Sequence, residues 1–181
     1  AAAAAATAPP LGAVRVYQYE ICPSCHNIKA QVDLHRQPYE TLDVNPLTKA
    51  ELKPWSDYRK VPIVKLAPRG AADVDESTAE QINDSPVIAA ALIDRMVEAG
   101  ILSRADVTAF RSPAAVEWAK WSDEKLAVLL FPNITRSFSE SFEAFKYVRE
   151  VPHFSLFEMA SNQLVGAFAM WMAQGKIKKK Y

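Results

Sequence analysis

Two cysteines in the stretch "ICPSC" are the residues of this chain best suited to covalent chemistry. Cys22 and Cys25 form a CxxC pair, which serves as half of a zinc site, as a redox dithiol, or as two ordinary half-buried thiols. A closed zinc site needs further ligands, yet the sequence has 2 cysteines and 3 histidines in all. His26 adjoins Cys25 and is poorly placed to complete a tetrahedron with both thiols. The pair therefore favours thiol redox chemistry without a metal, with ordinary thiols as the alternative.

The elements around the pair give this interpretation a physical basis. The stretch "AVRVYQY" at 13–19 is rich in β-branched and aromatic residues and predicts a strand. Residues 25–36 lack glycine and proline and predict a helix, so Cys22 would lie where that helix begins. Unpaired backbone amides at a helix start stabilise an anion, which favours the Cys22 thiolate as nucleophile and leaving group. Cys25, one turn deeper, would then be the resolving thiol.

The pattern up to residue 100 alternates between strand and helix. Strands are predicted at 39–44, 61–67 and 80–84, helices at 47–58 and 86–100, and a loop at 68–79. A strand, a helix and a strand in succession require a parallel pair with a crossover helix, and the last two strands form an antiparallel hairpin on the same sheet. The sequence therefore predicts a small α/β layer.

The second half of the chain has helical patterns and no strand pattern. Helices are predicted at 112–131, 137–150 and 154–179. Trp118 and Trp121 are expected in the core between helices, because large aromatic side chains usually bury. The predicted domains are accordingly a low-complexity tail at 1–12, the α/β domain at 13–100, a linker at 101–112 and a helical domain at 113–181.

Composition and charge limit the classes of partner that the protein could bind. The chain is 50% hydrophobic and 23% charged, which is typical of globular proteins, and its formal net charge is +0. That balance argues against a nucleic-acid partner, since proteins that bind nucleic acid usually carry clustered positive charge. The apolar run at 164–173 is too short to cross a bilayer, so no transmembrane helix is expected. The lysines at 176 and 178–180 fit a solvated helix end, with contact to a membrane surface or a partner as the alternative.

Two further features resemble parts of a ligand site. In a thioredoxin-like layout a proline in the position of Pro62 is cis, and Val61 before it offers its backbone to an extended, peptide-like ligand. Asp84 and Ser85 precede the predicted helix at 86–100, where they could hold the amino and carboxylate groups of a small zwitterion. Simple helix capping is the alternative for both of these residues.

These features together resemble the glutathione-binding domain of the glutaredoxin and glutathione transferase superfamily. More narrowly, the chain is similar to the membrane-associated prostaglandin E synthase type 2 family. The similarity is carried by "YQYEICPSCHNIKAQVDLHRQPYETLDVNP", "YRKVPI", "INDSPVI" and "EWAKWSDEKLAVLLFPNITRSFSESFEAFKYVRE" and covers most of 14–178. The resemblance implies an α/β fold: a thioredoxin/glutaredoxin-like sheet followed by an incomplete, C-terminally shortened helical module of the glutathione transferase type.

The resemblance also implies cofactors and site residues. Members of the family bind glutathione, and haem together with it, and are described as isomerising prostaglandin H to prostaglandin E with the help of a thiol. By motif match the catalytic residues would be Cys22 as the reactive thiol, Cys25 as its pair and Tyr19 as a neighbouring hydroxyl. The glutathione-binding residues would be Val61, Pro62, Asp84 and Ser85.

Two classes of function remain open at this level. One is a glutathione-linked, thiol-dependent oxidoreductase or isomerase that acts on a small thiol or peroxide. The other is a non-catalytic, thioredoxin-like accessory subunit of a mitochondrial or plastid membrane protein complex. Both place the protein in an organelle, associated peripherally with its membrane, with a mitochondrion as the first expectation and a plastid as the second.

Overall fold

The computed structural model describes residues 11–180, with the backbone alone for Lys180. Most of the predicted tail at 1–12 lies outside the described residues. Leu11, at the end of that predicted tail, is nonetheless buried in the core. The chain divides into two compact units. The first comprises 11–18, Ser24–Leu42 and Lys60–Ala109, and the second comprises Tyr19–Pro23, Asp43–Arg59 and 110–180.

A four-stranded sheet organises the first unit. Its strands are β1 (Val14–Gln18), β2 (Glu40–Asp43), β3 (Ile63–Leu66) and β4 (Glu80–Asn83), in the order β2-β1-β3-β4. Strand β3 runs antiparallel to both β1 and β4. All four residues of β3 are buried, as expected for a central strand rich in aliphatic side chains. The strands lie where the sequence pattern predicts them.

Two helices complete the first unit. Helix α1 spans Pro23–Leu34 and α2 spans Ser85–Glu98. Each buries one stripe of side chains, Cys25, Ile28 and Val32 on α1 and Ile88, Leu92 and Met96 on α2. The spacing of these residues is that of an amphipathic helix, and most of them join one apolar core with the strands. Gly100 follows α2 with φ 72, a left-handed backbone that glycine adopts readily and that ends the helix.

The loop between β3 and β4 is tied to the sheet through Glu76. Its carboxylate lies 3.0 Å from the Arg15 guanidinium and accepts a hydrogen bond from the Tyr17 hydroxyl. The Lys65 ammonium, almost fully buried, donates to the backbone carbonyl of Glu76 at 3.0 Å. Burial and the adjacent Glu76 carboxylate raise the pKa of Tyr17 above its ordinary value.

Two predicted segments differ from the structure. The helix expected at 47–58 is a series of turns. The Asn45 side chain accepts hydrogen bonds from the amides of Leu47 and Thr48, and Lys49 adopts a left-handed backbone with φ 54, so the chain cannot continue as an α-helix. The segment predicted as a linker contains helix α3 (Arg104–Phe110). The domain boundaries themselves stay a prediction.

The rest of the second unit is helical. Its elements are α4 (Pro113–Trp121), a π-helical stretch (Ser122–Leu126), α5 (Ala127–Ile134), α6 (Phe138–Ala144), a 3-10 helix (Phe145–Arg149) and α7 (Leu156–Lys180). The hydroxyl of Ser112 accepts a hydrogen bond from the amide of Ala115 and caps α4, as its position in the sequence suggests. No strand occurs beyond β4 in the described part of the chain.

The core of the helical unit is a cluster of buried residues, Phe145, Val148, Val151, Phe154 and Ala167. The prediction that Trp118 and Trp121 join such a core is wrong, because they are 67% and 46% exposed. They contact each other edge to face, with ring centroids 5.6 Å apart. The observed architecture, a thioredoxin-like sheet followed by a helical module, confirms the predicted fold class.

Candidate functional site

The two cysteines lie at the start of α1, as their spacing predicts. Cys22 immediately precedes the first helical residue, Pro23, and Cys25 lies in the first turn. Cys22 is partly exposed, whereas Cys25 is 0% exposed. The two thiols are not joined by a disulfide. Because an external molecule must touch a sulfur atom to react with it, Cys22 is the thiol within reach of a substrate.

A tight turn connects Cys22 to Tyr19. The Cys22 amide donates a hydrogen bond to the Tyr19 carbonyl oxygen, with nitrogen and oxygen 3.0 Å apart. The Tyr19 hydroxyl oxygen is shielded from solvent and finds no hydrogen-bond partner among residues 11–180. Buried hydroxyls are normally paired, so this group is a candidate donor to a bound ligand or to a reacting atom.

Lys49 lies against the Tyr19 ring, with its Nζ 4.3 Å from the ring centroid. This is within the range of a cation–π contact. Burial lowers the pKa of Lys49 below its ordinary value, and the Glu51 carboxylate partly offsets this shift. Lys49 is a site residue without a signal in the sequence, since no local pattern predicts that a polar turn places an ammonium on this ring.

The turn that carries Lys49 is fastened to the helical part of the second unit. Asn45, 0% exposed, donates from its Nδ2 to the Glu158 carboxylate at 3.1 Å. The same carboxylate accepts hydrogen bonds from the amide and the hydroxyl of Ser155, just before α7. These hydrogen bonds hold the pKa of Glu158 below its ordinary range. His153 Nε2 lies 3.2 Å from Glu51 and adds a second connection. The turn is therefore an anchored element.

The other candidate residues lie together at one end of the sheet in the first unit. The Val61–Pro62 peptide bond is cis and leads directly into β3, as the thioredoxin-like layout predicts. Ile63 at the start of β3 pairs with Asn83 at the end of β4, so Pro62 and Asp84 occupy the same end of the sheet. Ile63 also pairs with Tyr17, which brings the C-terminal end of β1 to that end.

Asp84 occupies the N-cap position of α2, and Ser85 is the first helical residue. The Asp84 backbone has φ 70 and ψ 126, and its side chain makes no capping hydrogen bond to the helix. Side-chain capping, the alternative interpretation of this residue, is therefore not what the structure has. An exposed carboxylate and a hydroxyl at a helix start have the hydrogen-bonding groups to bind the amino and carboxylate ends of a zwitterion.

Metal and haem chemistry find little support in the described residues. No group of three or more His, Cys, Asp or Glu side chains within them could hold a metal ion. Met159 and Met170 pack against the core cluster of the helical unit, and His153 contacts Glu51, so these three side chains take part in packing and hydrogen bonding. Among the described helices, none is long and apolar enough to span a bilayer.

Fold and thiol placement together define the class: a thioredoxin-like sheet whose first helix begins at a C-P-x-C pair, with a helical module attached. No family model matches the chain. Its sequence is 30% identical to prostaglandin E synthase 2 of Danio rerio over 203 residues, which is 92% of this chain and 51% of that protein. Prostaglandin E synthase 2 of Mus musculus is 29% identical over 202 residues, covering 92% and 50% of the two chains.

These similarities confirm the resemblance inferred from the motifs. The chain spans about half the length of the curated relatives that it matches. A solved structure of glutathione transferase Omega 1C from Trametes versicolor is also similar, at 17% identity and a TM-score of 0.43, covering 86% of this chain and 68% of that one. The roles assigned to individual site residues stay predictions.

Proposed function

We propose that this protein is a glutathione-linked, thiol-dependent oxidoreductase or isomerase of the prostaglandin E synthase 2 type, with Cys22 as its nucleophile. The observation that carries the assignment is the contrast between a partly exposed thiol at the start of α1 and a fully buried thiol one turn later. Backbone amides at a helix start favour the thiolate form of Cys22. Cys25 is accessible only from within the protein, which suits a resolving thiol.

In the oxidoreductase reaction the Cys22 thiolate attacks the glutathione sulfur of a mixed disulfide. A new S–S bond forms at Cys22, the original S–S bond breaks, and the departing thiolate takes a proton from solvent. A second glutathione thiolate then attacks the glutathione sulfur of the enzyme-bound disulfide, which forms oxidised glutathione and returns Cys22 as a thiolate. Alternatively, the Cys25 thiolate attacks the Cys22 sulfur, which forms a Cys22–Cys25 disulfide and releases glutathione as a thiolate. If Cys25 acts, the resulting intramolecular disulfide is reduced by two further glutathione molecules.

In the isomerase reaction the same thiolate attacks one oxygen of a cyclic peroxide. An S–O bond forms, the O–O bond breaks, and the second oxygen leaves as an alkoxide that takes up a proton. Loss of a proton from the carbon bearing the sulfur-bound oxygen then gives a carbonyl and breaks the S–O bond, which restores the thiolate. The Tyr19 hydroxyl serves as the hydrogen-bond donor to the developing alkoxide.

Glutathione is the proposed cofactor. Val61, next to the cis peptide bond, offers its backbone to the cysteinyl part of the tripeptide, and Pro62 shapes that surface. Asp84 and Ser85 bind the charged ends of the γ-glutamyl part through the carboxylate and the hydroxyl. The pairing of Ile63 with Asn83 supports this, because it sets Pro62 and Asp84 at one end of the sheet.

The direct test compares Cys22→Ser and Cys25→Ser in glutathione-dependent reduction of bis(2-hydroxyethyl) disulfide. We expect Cys22→Ser to lose at least about a hundredfold in kcat/KM, since a hydroxyl is a far weaker nucleophile. Cys25→Ser should retain turnover, because glutathione can resolve the mixed disulfide. Full activity of Cys22→Ser would overturn the assignment. An endoperoxide isomerisation assay with the same variants separates the two reaction types.

A second candidate is a non-catalytic accessory subunit of an organelle membrane complex, and a specific observation favours it. Helix α7 exposes apolar side chains along one side, among them Leu164 at 56%, Phe168 at 53% and Met172 at 52%. A contiguous exposed apolar surface on a soluble protein is typical of an interaction site. A protein that remains a monodisperse monomer in light scattering and in organelle extracts would count against this role. Localisation to a mitochondrion or plastid is part of the same proposal, and organelle fractionation checks it.

A further inference from the structure

The Tyr19 side chain combines a charged neighbour with an unused donor. The Lys49 ammonium lies 4.3 Å from the centre of its ring, while its hydroxyl is buried without a hydrogen-bond partner in the part of the chain that the structure describes. An unpaired buried hydroxyl costs free energy, and buried hydroxyls are normally paired, so this group is a candidate donor to a further partner. A donor in this state is available to an anion that forms nearby, such as a thiolate.

Hydrogen bonds of the surrounding turn hold Lys49 in a defined position. Its backbone lies in the left-handed region at φ 54, which is unfavourable for a residue with a β-carbon. Hydrogen bonds hold it there, since its amide donates to the Asn45 carbonyl at 3.0 Å and its carbonyl accepts from Leu52 at 3.1 Å. Asn45 is in turn bound to Glu158. An anchored turn therefore presents one partly buried ammonium to one aromatic ring.

We propose that Lys49 is a positioning residue for the thiol site, which orients the Tyr19 ring and strengthens its hydroxyl as a hydrogen-bond donor. A positive charge beside the ring stabilises negative charge on the phenol oxygen, so the O–H group becomes more polarised. The proposed recipient is the Cys22 thiolate. Cys22 is joined to Tyr19 through the backbone hydrogen bond of the turn, and the Tyr19 hydroxyl makes no hydrogen bond to a described residue in the structure. This role rests on the proposed function of Cys22, and Lys49 itself touches none of the reacting atoms.

The charge on Lys49 depends on its surroundings. Burial lowers its pKa, and Glu51 on the same turn opposes the shift. Glu51 also contacts His153, and the segment after β1 presents the Tyr19 ring to Lys49 and carries Glu20 and Cys22 as further titratable groups. Because a neutral amine does not polarise the ring, the effect of Lys49 is lost as pH rises through its pKa. An arginine at this position would keep its charge over that range.

The test uses two variants of the full chain. Lys49→Asn removes the charge but keeps a residue that tolerates a left-handed backbone, and Lys49→Arg keeps the charge. Alkylation of Cys22 by iodoacetamide is followed across pH, with peptide mass spectrometry to separate it from Cys25. We expect the midpoint of the alkylation profile to move upward by about 0.5–1 pH unit in Lys49→Asn, and Lys49→Arg to restore it. A purely structural role would lower thermal stability without moving the midpoint.

The same variants in a Tyr19→Phe background show whether Lys49 affects Cys22 through the Tyr19 hydroxyl. If Lys49 acts through the hydroxyl, Lys49→Asn causes no further shift once Tyr19 is replaced. An unchanged midpoint in Lys49→Asn, or an equal shift in the Tyr19→Phe background, would overturn the role of Lys49. Loss of the proposed function has a different signature, namely Cys22→Ser retaining disulfide reduction. Alkylation requires no catalytic turnover, so the profiles test the role of Lys49 whether or not the proposed activity of Cys22 is correct.

Discussion

The backbone amide of Cys22 and the carbonyl oxygen of Tyr19 are joined by a 3.0 Å hydrogen bond that closes a turn between β1 and α1. This bond holds the backbone of the residue with the partly exposed thiol close to the backbone of the residue with the aromatic hydroxyl. The ring of Tyr19 is set by a different part of the molecule, since Lys49 on a separate turn lies over it. One local and one distant contact thus hold Tyr19 in place just before α1.

The two cysteines should differ sharply in reactivity toward a thiol reagent. Native protein treated with iodoacetamide is expected to be labelled at Cys22 at least about tenfold faster than at Cys25, because only Cys22 is partly exposed. Labelling in denaturant should proceed at both positions and serves as the control. Comparable native rates at the two sites would contradict the burial of Cys25.

Asn45 is expected to be essential for the stability of the second unit. Asn45→Ala removes the donor to Glu158 and the acceptor for the amides of Leu47 and Thr48, so unfolding should become easier by about 2–4 kcal/mol. Urea denaturation followed by circular dichroism measures the change. Asp57→Ala, at an exposed position of the same segment, is the matched control and should stay within about 0.5 kcal/mol. Similar losses in both variants would argue against a special role for Asn45.

Two glycines of α7 should respond in opposite directions to alanine. A β-carbon at Gly166 would come within 2.6 Å of Cδ1 of the buried Phe145 ring, so Gly166→Ala should destabilise by about 1–3 kcal/mol through overpacking. A β-carbon at Gly175 meets nothing within 4 Å among the described atoms, so Gly175→Ala should stabilise the helix by about 0.5–1 kcal/mol. Thermal unfolding of the two variants checks the contrast, and a neutral Gly166→Ala would show that Phe145 can move aside.

Tyr17 should make the stability of the sheet unit sensitive to alkaline pH. Its pKa is raised in the folded state by burial and by the Glu76 carboxylate, so the native protein retains this proton where the unfolded chain loses it. The stabilisation is complete below the ordinary tyrosine pKa of about 10 and is lost as pH rises through the raised value. The free energy of unfolding of the wild type should therefore fall more steeply above about pH 10 than that of Tyr17→Phe. Parallel curves for the two proteins would contradict the Tyr17–Glu76 contact.

Periodicity and turn chemistry were sufficient for most elements of the sheet unit. The strand before the cysteines and the helix closed by Gly100 follow from side-chain spacing and from residues with special backbone preferences. The segment at 47–58 went against its helical pattern, because the Asn45 side chain captures backbone amides that a helix would need. The burial predicted for Trp118 was wrong, because amphipathic spacing alone does not specify which neighbour covers a helix face.

The sequence by itself determined that a C-P-x-C pair follows a strand and opens a helix, and that a V-P step and an Asp-Ser pair flank the next strands. These features depend on neighbours in the chain, whose propensities act locally. Only the tertiary structure decided that Cys25 is buried while Cys22 is reachable, and that Lys49 lies on Tyr19. Such contacts join residues far apart in sequence, and they are fixed by how packed elements share space rather than by any local pattern.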